Sequence, residues 1–279
     1  MPEPILNVAY LGRKGSFASL VAKQRYAQLE QIPQPSVADV VAYVTERRDR
    51  IGIVPIENSS GGIIHDSVDV FVEDSFKLFI REETRIHVRY ALLGRKGQEI
   101  KTIYSHYAAL KHCVDWIRAQ FPNAKTRAAA STSEAAAIAA EDPGGVAIST
   151  RDSALEYGLE ILEFPILEKV PNVTQFFTIG HERADSITEG GNTSLVASLS
   201  NQPGSLFSFL KPFHDFKANL NRIQSRAIPG RSDACKFFVG IEGLESDQNV
   251  HRALELARPL TEGIRVLGSY PRILAPYES

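Results

Sequence analysis

The sequence predicts an α/β protein that ends in a smaller unit of a different plan. Through the first two-thirds of the 279 residues, short apolar runs such as NVAYLG and RIGIVPIE alternate with segments of helical periodicity such as SFASLVAKQRYAQ. This alternation is typical of mostly parallel sheets covered by helices. The last third instead reads strand, helix, strand, strand, helix, strand, which is the ferredoxin-like plan. The chain is long enough for both units.

Helix-start signals and apolar runs place the elements of the first unit. Ser36 and Asp39 form an S-x-x-D pattern at the start of SVADVVAYVTERR, and Ser131 and Glu134 form an S-x-x-E pattern at the start of STSEAAAIAAED. Both patterns are typical of capped helices. A further helix is predicted for YAALKHCVDWIRAQF, and strands are predicted for FKLFIREE, RIHVRYALLG, KTIYS, TRAAA and GGVAIST.

A polar segment separates the two predicted units. GHERADSITEGGN, residues 180–192, is poor in apolar side chains and contains glycines, so we expect a linker there. After it, TSLVASLS predicts a strand and GSLFSFLKPFHDF a helix. The chain then continues with two strands, a helix and a last strand: ANLNRIQSRAI, DACKFFVGIE, QNVHRALELARPLTEG and IRVLGSY.

Composition and charge exclude several classes of function. The 31 basic and 33 acidic residues leave a formal net charge of −2, so no overall charge favours binding to nucleic acid or to an anionic membrane. Cys113 and Cys235 lie far apart without C-x-x-C spacing, which disfavours a zinc cluster or a disulfide framework. The sequence has no signal-peptide pattern and no apolar run of the ~18 residues that a membrane span needs. We expect a cytoplasmic protein that uses neither a metal nor another cofactor.

Four strand–helix junctions are rich in glycine or hydroxyl side chains. The first, YLGRKGSFAS, has two glycines that flank Arg13 and Lys14, and Ser16 follows at the predicted helix start. The backbone N–H groups at a helix start can bind an anion. It lacks the spacing of a nucleotide-binding loop. The others bring Glu57, Asn58 and Ser59 in PIENSSGG, Ser105 and His106 in IYSHY, and Ser131 and Thr132 in AASTSEA. Each junction also has a purely structural explanation, which is a plain βα turn for the first, a structural histidine for His106 and helix capping for the other two. Together they predict the rim of one cleft.

Thr174, in the segment PNVTQFFTIG, has two interpretations. It is either a β-branched strand former or a hydroxyl that takes part in the chemistry, and the residues alone leave both open. In a regular strand, Gln175 beside it points to the opposite face.

Taken in order, these segments resemble the prephenate dehydratase family. GRKGSF is similar to the family's G-P-x-G-T-F, VPIENSSGG to its V-P-I-E-N-S, YSHYAAL to its Y-S-H-P-Q-A-L, and NVTQFF to its N-x-T-R-F. STSEAA and EYGLEIL resemble two further blocks. In the C-terminal unit, PGSLF and IQSRA resemble the G-A-L-V and E-S-R-P motifs of the family's ACT domain, and VLGSYP closes the unit.

The resemblance implies a catalytic region over residues 1–182 and an ACT regulatory domain over residues 191–279. The catalytic region would have two α/β subdomains of the type II periplasmic-binding-protein plan, with the site between them. Thr174 would assist departure of the ring hydroxyl of prephenate while CO₂ is lost, and Glu57 and Asn58 would orient the substrate. The remaining substrate contacts would come from Arg13, Lys14, Ser16, Ser59, Ser105, Ser131, Thr132, Gln175 and Phe176.

The resemblance also implies feedback control by phenylalanine in a homodimer or homotetramer. The effector would bind at the interface shared by paired ACT domains, through Gly204, Ser205, Leu206, Asn219, Leu220, Ser225 and Arg226. Gln224 stands where the family has glutamate, and Ala227 where it has proline.

Because the sequence departs from the family pattern at several positions, more than one function is consistent with it. The arginine of T-R-F is Gln175, and the proline and glutamine of S-H-P-Q are Tyr107 and Ala108. One hypothesis is that the anchoring charge has moved to Arg13 and Lys14. The first function is a phenylalanine-controlled prephenate dehydratase. The alternatives are an enzyme acting on arogenate or another modified cyclohexadienyl acid, a prephenate decarboxylase that does not dehydrate, and a non-enzymatic amino-acid sensor.

Overall fold

Three β-sheets with helices packed on them make up the computed structural model, which describes residues 4–167, 171–184, 187, 190–228, 231–272 and 277–278. The strands are β1 Asn7–Leu11, β2 Glu30–Gln34, β3 Arg50–Asn58, β4 Gly62–Ile63, β5 Phe79–His87, β6 Tyr90–Gly94, β7 Thr102–His106, β8 Lys125–Ala129, β9 Gly145–Ser149, β10 Glu160–Ile166, β11 Val173–Gly180, β12 Gly191–Ser200, β13 Leu220–Ile228, β14 Arg231–Glu242, β15 Gly263–Pro271 and β16 Tyr277–Glu278. The helices are α1 Phe17–Arg25, α2 Val37–Thr45, α3 His65–Val72, α4 Tyr107–His112, α5 Val114–Gln120, α6 Thr132–Glu141, α7 Arg151–Tyr157, α8 Ser205–Asp215 and α9 Gln248–Ala257.

The first two sheets share one topology. Their orders are β2-β1-β3-β11-β5-β16 and β8-β7-β9-β6-β10. In each sheet three neighbouring strands are parallel, and the next strand, β11 or β6, is antiparallel because the chain enters it from the other sheet. Each sheet with its helices is one α/β subdomain. The predicted α/β class with two subdomains is confirmed, although β6 and β11 interrupt the expected parallel order.

The third sheet has the predicted βαββαβ plan. Its strands are all antiparallel in the order β13-β14-β12-β15, and α8 and α9 cover one face. The other face packs on the first subdomain, where Phe238 and Tyr270 meet Phe71 and Phe177. Of the polar linker predicted for residues 180–192, Gly180 ends β11, and Gly191 and Asn192 begin β12. Residues 185, 186, 188 and 189 lie outside the described residues.

Local sequence determines where the helices begin. Ser36 and Ser131 cap α2 and α6 as their patterns predict, each accepting the N–H of the residue three positions on. The helix predicted as one piece from Tyr107 is instead two helices, because Cys113 leaves the helical conformation between α4 and α5. Among the described residues, no helix has the length and apolar character that crossing a membrane requires.

Candidate active site

A cavity of about 370 Å³ lies between the two α/β subdomains. The first subdomain contributes the loop after β1 and the end of β3, the second contributes the starts of α4 and α6, and the segments that cross between them close the floor. The lining residues include Leu11, Gly12, Ser16, Phe17, Asn58, Ser60, Gly61, Ile64, Tyr90, His106, Ser131, Thr132, Asn172, Thr174 and Phe176. Of the predicted substrate contacts, Ser16, Asn58, Ser131, Thr132, Thr174 and Phe176 are in this lining.

Thr174 and Asn58 are direct neighbours on two antiparallel strands at the cavity wall. They are paired residues of β11 and β3, and Asn58 Nδ2 donates a hydrogen bond to Thr174 Oγ1 at 2.9 Å. Asn58 Oδ1 accepts the backbone N–H groups of Ser60 and Gly61 at 2.9 and 2.8 Å. Because those groups can only donate, the Asn58 amide has one possible orientation. The Thr174 oxygen therefore accepts from Asn58, and its own proton is free to point into the cavity.

Asn172 and Tyr90 extend this network across the floor. Asn58 Nδ2 also donates to Asn172 Oδ1 at 2.7 Å, and Asn172 Nδ2 donates to the Tyr90 hydroxyl at 3.4 Å. Burial raises the pKa of Tyr90 above its usual value, so the phenol stays protonated. Neither residue was predicted as a site residue from the sequence, although Asn172 begins the N-x-T pattern that contains Thr174.

Two helix N-termini face the cavity from opposite subdomains. Ser16 caps α1 and Ser131 caps α6, each through a hydrogen bond from the residue three positions on. Glu134 accepts the N–H of Ala130, the residue before the cap, at 2.8 Å, so the reciprocal bond of the predicted capping box is displaced by one residue. The positive ends of these helix dipoles favour an anion in the cavity.

His106 lines the cavity from the end of β7. Its Nδ1 accepts the N–H of Ala108 at 3.3 Å, which places the ring proton of the neutral form on Nε2. Burial lowers the pKa of His106, so the ring is neutral near pH 7. His106 is thus both the helix cap that the sequence suggested and a polar group of the cavity. Within the described part of the chain, no three His, Cys, Asp or Glu side chains come together in a way that could hold a metal ion.

Glu57 and Gln175 lie on the opposite face of the same strands, outside the cavity lining. They are paired residues of β3 and β11, next to the Asn58–Thr174 pair. Both contact Arg222 of β13 in the third sheet, whose Nε is 3.1 Å from Glu57 Oε2 and whose Nη2 is 2.6 Å from Gln175 Oε1. This placement argues against direct substrate contact by either residue. The cation beside Gln175 is Arg222 rather than a residue of the first loop.

Four other predicted contacts also lie outside this lining. Ser59 ties β3 to the start of β11 by accepting the N–H of Val173, and buried Ser105 donates to the carbonyl of Ile148 at 2.6 Å. Lys14 is exposed. Arg13 lines the outer part of the cleft, where its guanidinium is 60% exposed and 3.9 Å from Glu134.

The first loop also connects the two subdomains. The carbonyl of Gly15 accepts hydrogen bonds from the hydroxyls of Thr150 and Ser153 at the start of α7. Lys23 of α1 pairs with Asp152 of α7 at 2.8 Å. These contacts hold one wall of the cavity against the other.

The predicted effector residues are divided between different surfaces of the third sheet and its helices. Gly204 caps α8 with φ +84°, Ser205 begins the helix, and Leu206 is exposed. Asn219 and Ser225 are exposed, and Leu220 begins β13. Arg226 instead reaches α3 of the first subdomain, where it contacts Asp69 and His65.

Comparisons with known proteins agree with this arrangement. The family model of prephenate dehydratase matches residues 8–184. A bifunctional chorismate mutase/prephenate dehydratase from Aquifex aeolicus is 31% identical over 275 residues, covering 98% of this chain and 75% of that protein.

Two solved structures are similar over nearly the whole chain. A prephenate dehydratase from Arthrobacter aurescens in complex with L-Phe has a TM-score of 0.87 and 29% identity, covering 96% of this chain and 90% of that one. GqqA, described as a novel type of quorum quenching acylase, has a TM-score of 0.86 and 25% identity, covering 96% of this chain and 98% of that one.

Proposed function

Because the chain belongs to the prephenate dehydratase family, we propose that it converts prephenate to phenylpyruvate, CO₂ and water. One observation carries the proposal. The Thr174 hydroxyl stands in a cavity between two subdomains, and Asn58 holds its oxygen so that its proton is free to donate. The closed hydrogen-bond network around Asn58 keeps that donor in place before a substrate binds.

The reaction requires a hydrogen-bond donor at the leaving oxygen rather than a side chain that acts as a general acid or a general base. As the ring carboxylate leaves as CO₂, the electrons of the broken carbon–carbon bond enter the ring. The ring becomes aromatic as the carbon–oxygen bond breaks. The electron pair of that bond leaves with the oxygen as hydroxide, which takes one proton from solvent to become water. A threonine hydroxyl is far too weak an acid to ionise at neutral pH. We assign Thr174 a hydrogen bond to the oxygen on which negative charge develops.

The electrostatics of the cavity suit a substrate with two carboxylates. The N-termini of α1 and α6 attract negative charge from opposite walls, and the carboxylate of Glu57 is directed to the other face of its strand. Phe176 and Phe17 supply apolar contact for the ring. The α1 and α6 ends would therefore bind the two carboxylates, and Thr174 would meet the ring hydroxyl between them.

The assay that tests the proposal follows phenylpyruvate by its absorbance in base after incubation with prephenate, with product mass as a second readout. The same enzyme preparation is given arogenate, for which the dehydrated product is phenylalanine. It is also given an N-acylated amine, the substrate class that the word acylase implies for GqqA. Turnover of the N-acylated amine or of arogenate, without turnover of prephenate, would contradict the proposal.

Regulation belongs to the C-terminal unit in this proposal. Residues 1–182 form the catalytic domain and residues 191–279 an ACT domain that binds phenylalanine in a cytoplasmic homodimer or homotetramer. The Arthrobacter relative in complex with L-Phe supports the effector. The exposed apolar side chains of Phe207 and Ile223, 70% and 45% accessible, support self-association through this domain. Titration calorimetry that detects no heat with phenylalanine would contradict its proposed role as effector. A monomer in analytical sedimentation would contradict the proposed homodimer or homotetramer.

A further inference from the structure

Arg222 connects the C-terminal sheet to the strands that carry the reacting hydroxyl. Its side chain is 7% exposed although it is charged, and it bonds to Glu57 of β3 and Gln175 of β11 at once. The guanidinium also lies 5.4 Å from the centre of the Phe177 ring. A buried guanidinium held by an ion pair, a short hydrogen bond and an aromatic face has a well-defined position.

The residues that Arg222 holds are the chain neighbours of the catalytic pair. Glu57 is opposite Gln175, and Asn58 is opposite Thr174, on the same two strands. The register of these strands shifts immediately after Gln175, between Gln175 and Phe176. Backbone pairing is disrupted at such a bulge, so side-chain contacts behind the strands have more influence on their spacing there.

We propose that Arg222 is a positioning residue for the reaction. By fixing Glu57 and Gln175 from behind, it sets the spacing between the Asn58 amide and the Thr174 hydroxyl. The position of β13 in the C-terminal sheet thereby becomes a determinant of turnover. The part of this proposal that concerns turnover rests on the proposed function.

The chemistry at position 175 supports this role. A glutamine carbonyl oxygen accepts one of the guanidinium N–H groups, and the Glu57 carboxylate neutralises the charge. An arginine at position 175 would place two guanidinium groups together, whereas a glutamine there leaves room for one. The pair Gln175 and Arg222 is thus complementary, with the cation supplied from the C-terminal sheet.

The test compares Arg222→Gln and Arg222→Lys with Lys236→Met. Lys236 bonds the same sheet to Asp74 and to the carbonyl of Val72, away from the cavity, so it controls for general loosening of the domain contact. We expect Arg222→Gln to lower kcat about 10-fold with KM nearly unchanged, and Arg222→Lys to lower it less. Lys236→Met should leave kcat unchanged. An unchanged kcat in Arg222→Gln, or an equal loss in Lys236→Met, would overturn the proposal.

A charge exchange separates positioning from simple damage. Gln175→Arg alone should lower kcat, and the double variant Gln175→Arg/Arg222→Gln should recover most of the activity because one guanidinium again lies beside Glu57. Failure of the double variant to recover would mean that the loss came from a disrupted interface, which contradicts the proposal.

Hydrogen exchange gives a readout that does not need turnover. The N–H groups of Ser60 and Gly61 report directly on Asn58, because Asn58 Oδ1 accepts both. They should exchange faster in Arg222→Gln and not in Lys236→Met. If the wild-type protein leaves prephenate unchanged, the proposed function fails, and exchange at these two amides still decides whether Arg222 holds the site. Equal exchange in wild type and Arg222→Gln would reject that role.

Discussion

The Thr174 hydroxyl acts through its orientation. A serine or threonine hydroxyl normally rotates to suit its surroundings, but here the oxygen accepts a bond from Asn58, and Asn58 is itself fixed by two backbone N–H groups. The proton of Thr174 is therefore turned away from Asn58 and available to a substrate before the substrate arrives. Preorganised donors of this kind stabilise charge that develops during a reaction without having to move.

Thr174→Val should lower kcat by ~10²–10³-fold with KM nearly unchanged, because one preorganised donor is lost while shape is retained. Steady-state kinetics with prephenate measures the change. Thr178→Val is the matched control on the same strand, since buried Thr178 accepts a hydrogen bond from Tyr26 at 3.1 Å and is not part of the cavity lining. The Thr178→Val variant should have a lower melting temperature than wild type and an unchanged kcat. Equal kinetic effects of the two changes would show that Thr174 acts only through strand stability.

Asn58→Ala and Asn58→Asp should separate orientation from charge. Both changes remove the amide that donates to Thr174, so both should lower kcat by about 100-fold. Only Asn58→Asp adds a negative charge to the cavity, so only this change should also raise KM for a substrate with two carboxylates. Measuring kcat and KM for both variants checks this expectation. A KM that is the same in both variants would indicate that the substrate carboxylates bind far from this wall.

At the scale of elements, the turn between β1 and α1 connects the two subdomains. Gly15 has φ +80°, and a Cβ there would come within 2.8 Å of Ser153 Oγ and 3.1 Å of Ser153 Cα. The turn therefore requires glycine for its backbone conformation and for its contact with α7. Its close approach also places the start of α1 at the cavity wall.

Gly15→Ala should destabilise the fold by about 2 kcal/mol or more and should lower kcat, because the clash separates the two walls of the cavity. Gly97→Ala is the matched control: Gly97 has φ +79° with nothing within 4 Å of the added Cβ, so it carries the conformational cost alone, about 1 kcal/mol. Thermal or urea unfolding and kinetics measure both effects. If the two variants are equally stable and equally active, the contact of Gly15 with α7 contributes neither to stability nor to the shape of the cavity.

Local patterns predicted most of the elements, although not α3, α7 or β10, and they did not predict which strands become neighbours. The alternation of strands and helices, the helix caps at Ser36 and Ser131 and the βαββαβ order all depend on residues close in the sequence, and the structure agrees with them. Strand β2 was missed because EQIPQ has little apolar character, and the break at Cys113 has no glycine or proline to mark it.

The candidate site was predictable only in part for the same reason. Asn58 and Ser131 stand at a strand end and a helix start and line the cavity, as their local patterns suggested, and Thr174 lines it as the family resemblance implied. Glu57 and Gln175 were expected at the substrate because the family resemblance implied it, although strand alternation alone places Gln175 on the face opposite Thr174. The pairing of β11 with β3 turns both toward β13, and that long-range pairing has no local signal.

At the scale of the whole molecule, one aromatic cluster joins the C-terminal sheet to the first subdomain. Phe238 of β14 is fully buried, with its ring stacked on Phe71 at 5.8 Å and 6.4 Å from Phe177. Phe177 lies two residues beyond Gln175 on β11. The packing that joins the two units and the contact of Arg222 with the site therefore involve the same strand, so the stability of the interface and the geometry of the site are connected.

Phe238→Ala should destabilise the protein by about 3–5 kcal/mol, because it leaves a cavity in a core shared by both units. We expect wild type to unfold in one calorimetric transition, since neither unit covers its own apolar face without the other. The variant should unfold at lower temperature and with separate transitions for the two units. Phe207→Ala, at a side chain 70% exposed on α8, is the control and should leave the unfolding of the protomer unchanged. The contrary outcome is two transitions in wild type, at temperatures that Phe238→Ala does not alter. It would mean that the C-terminal sheet and the first subdomain fold independently, and that their contact does not affect the geometry of the strands it covers.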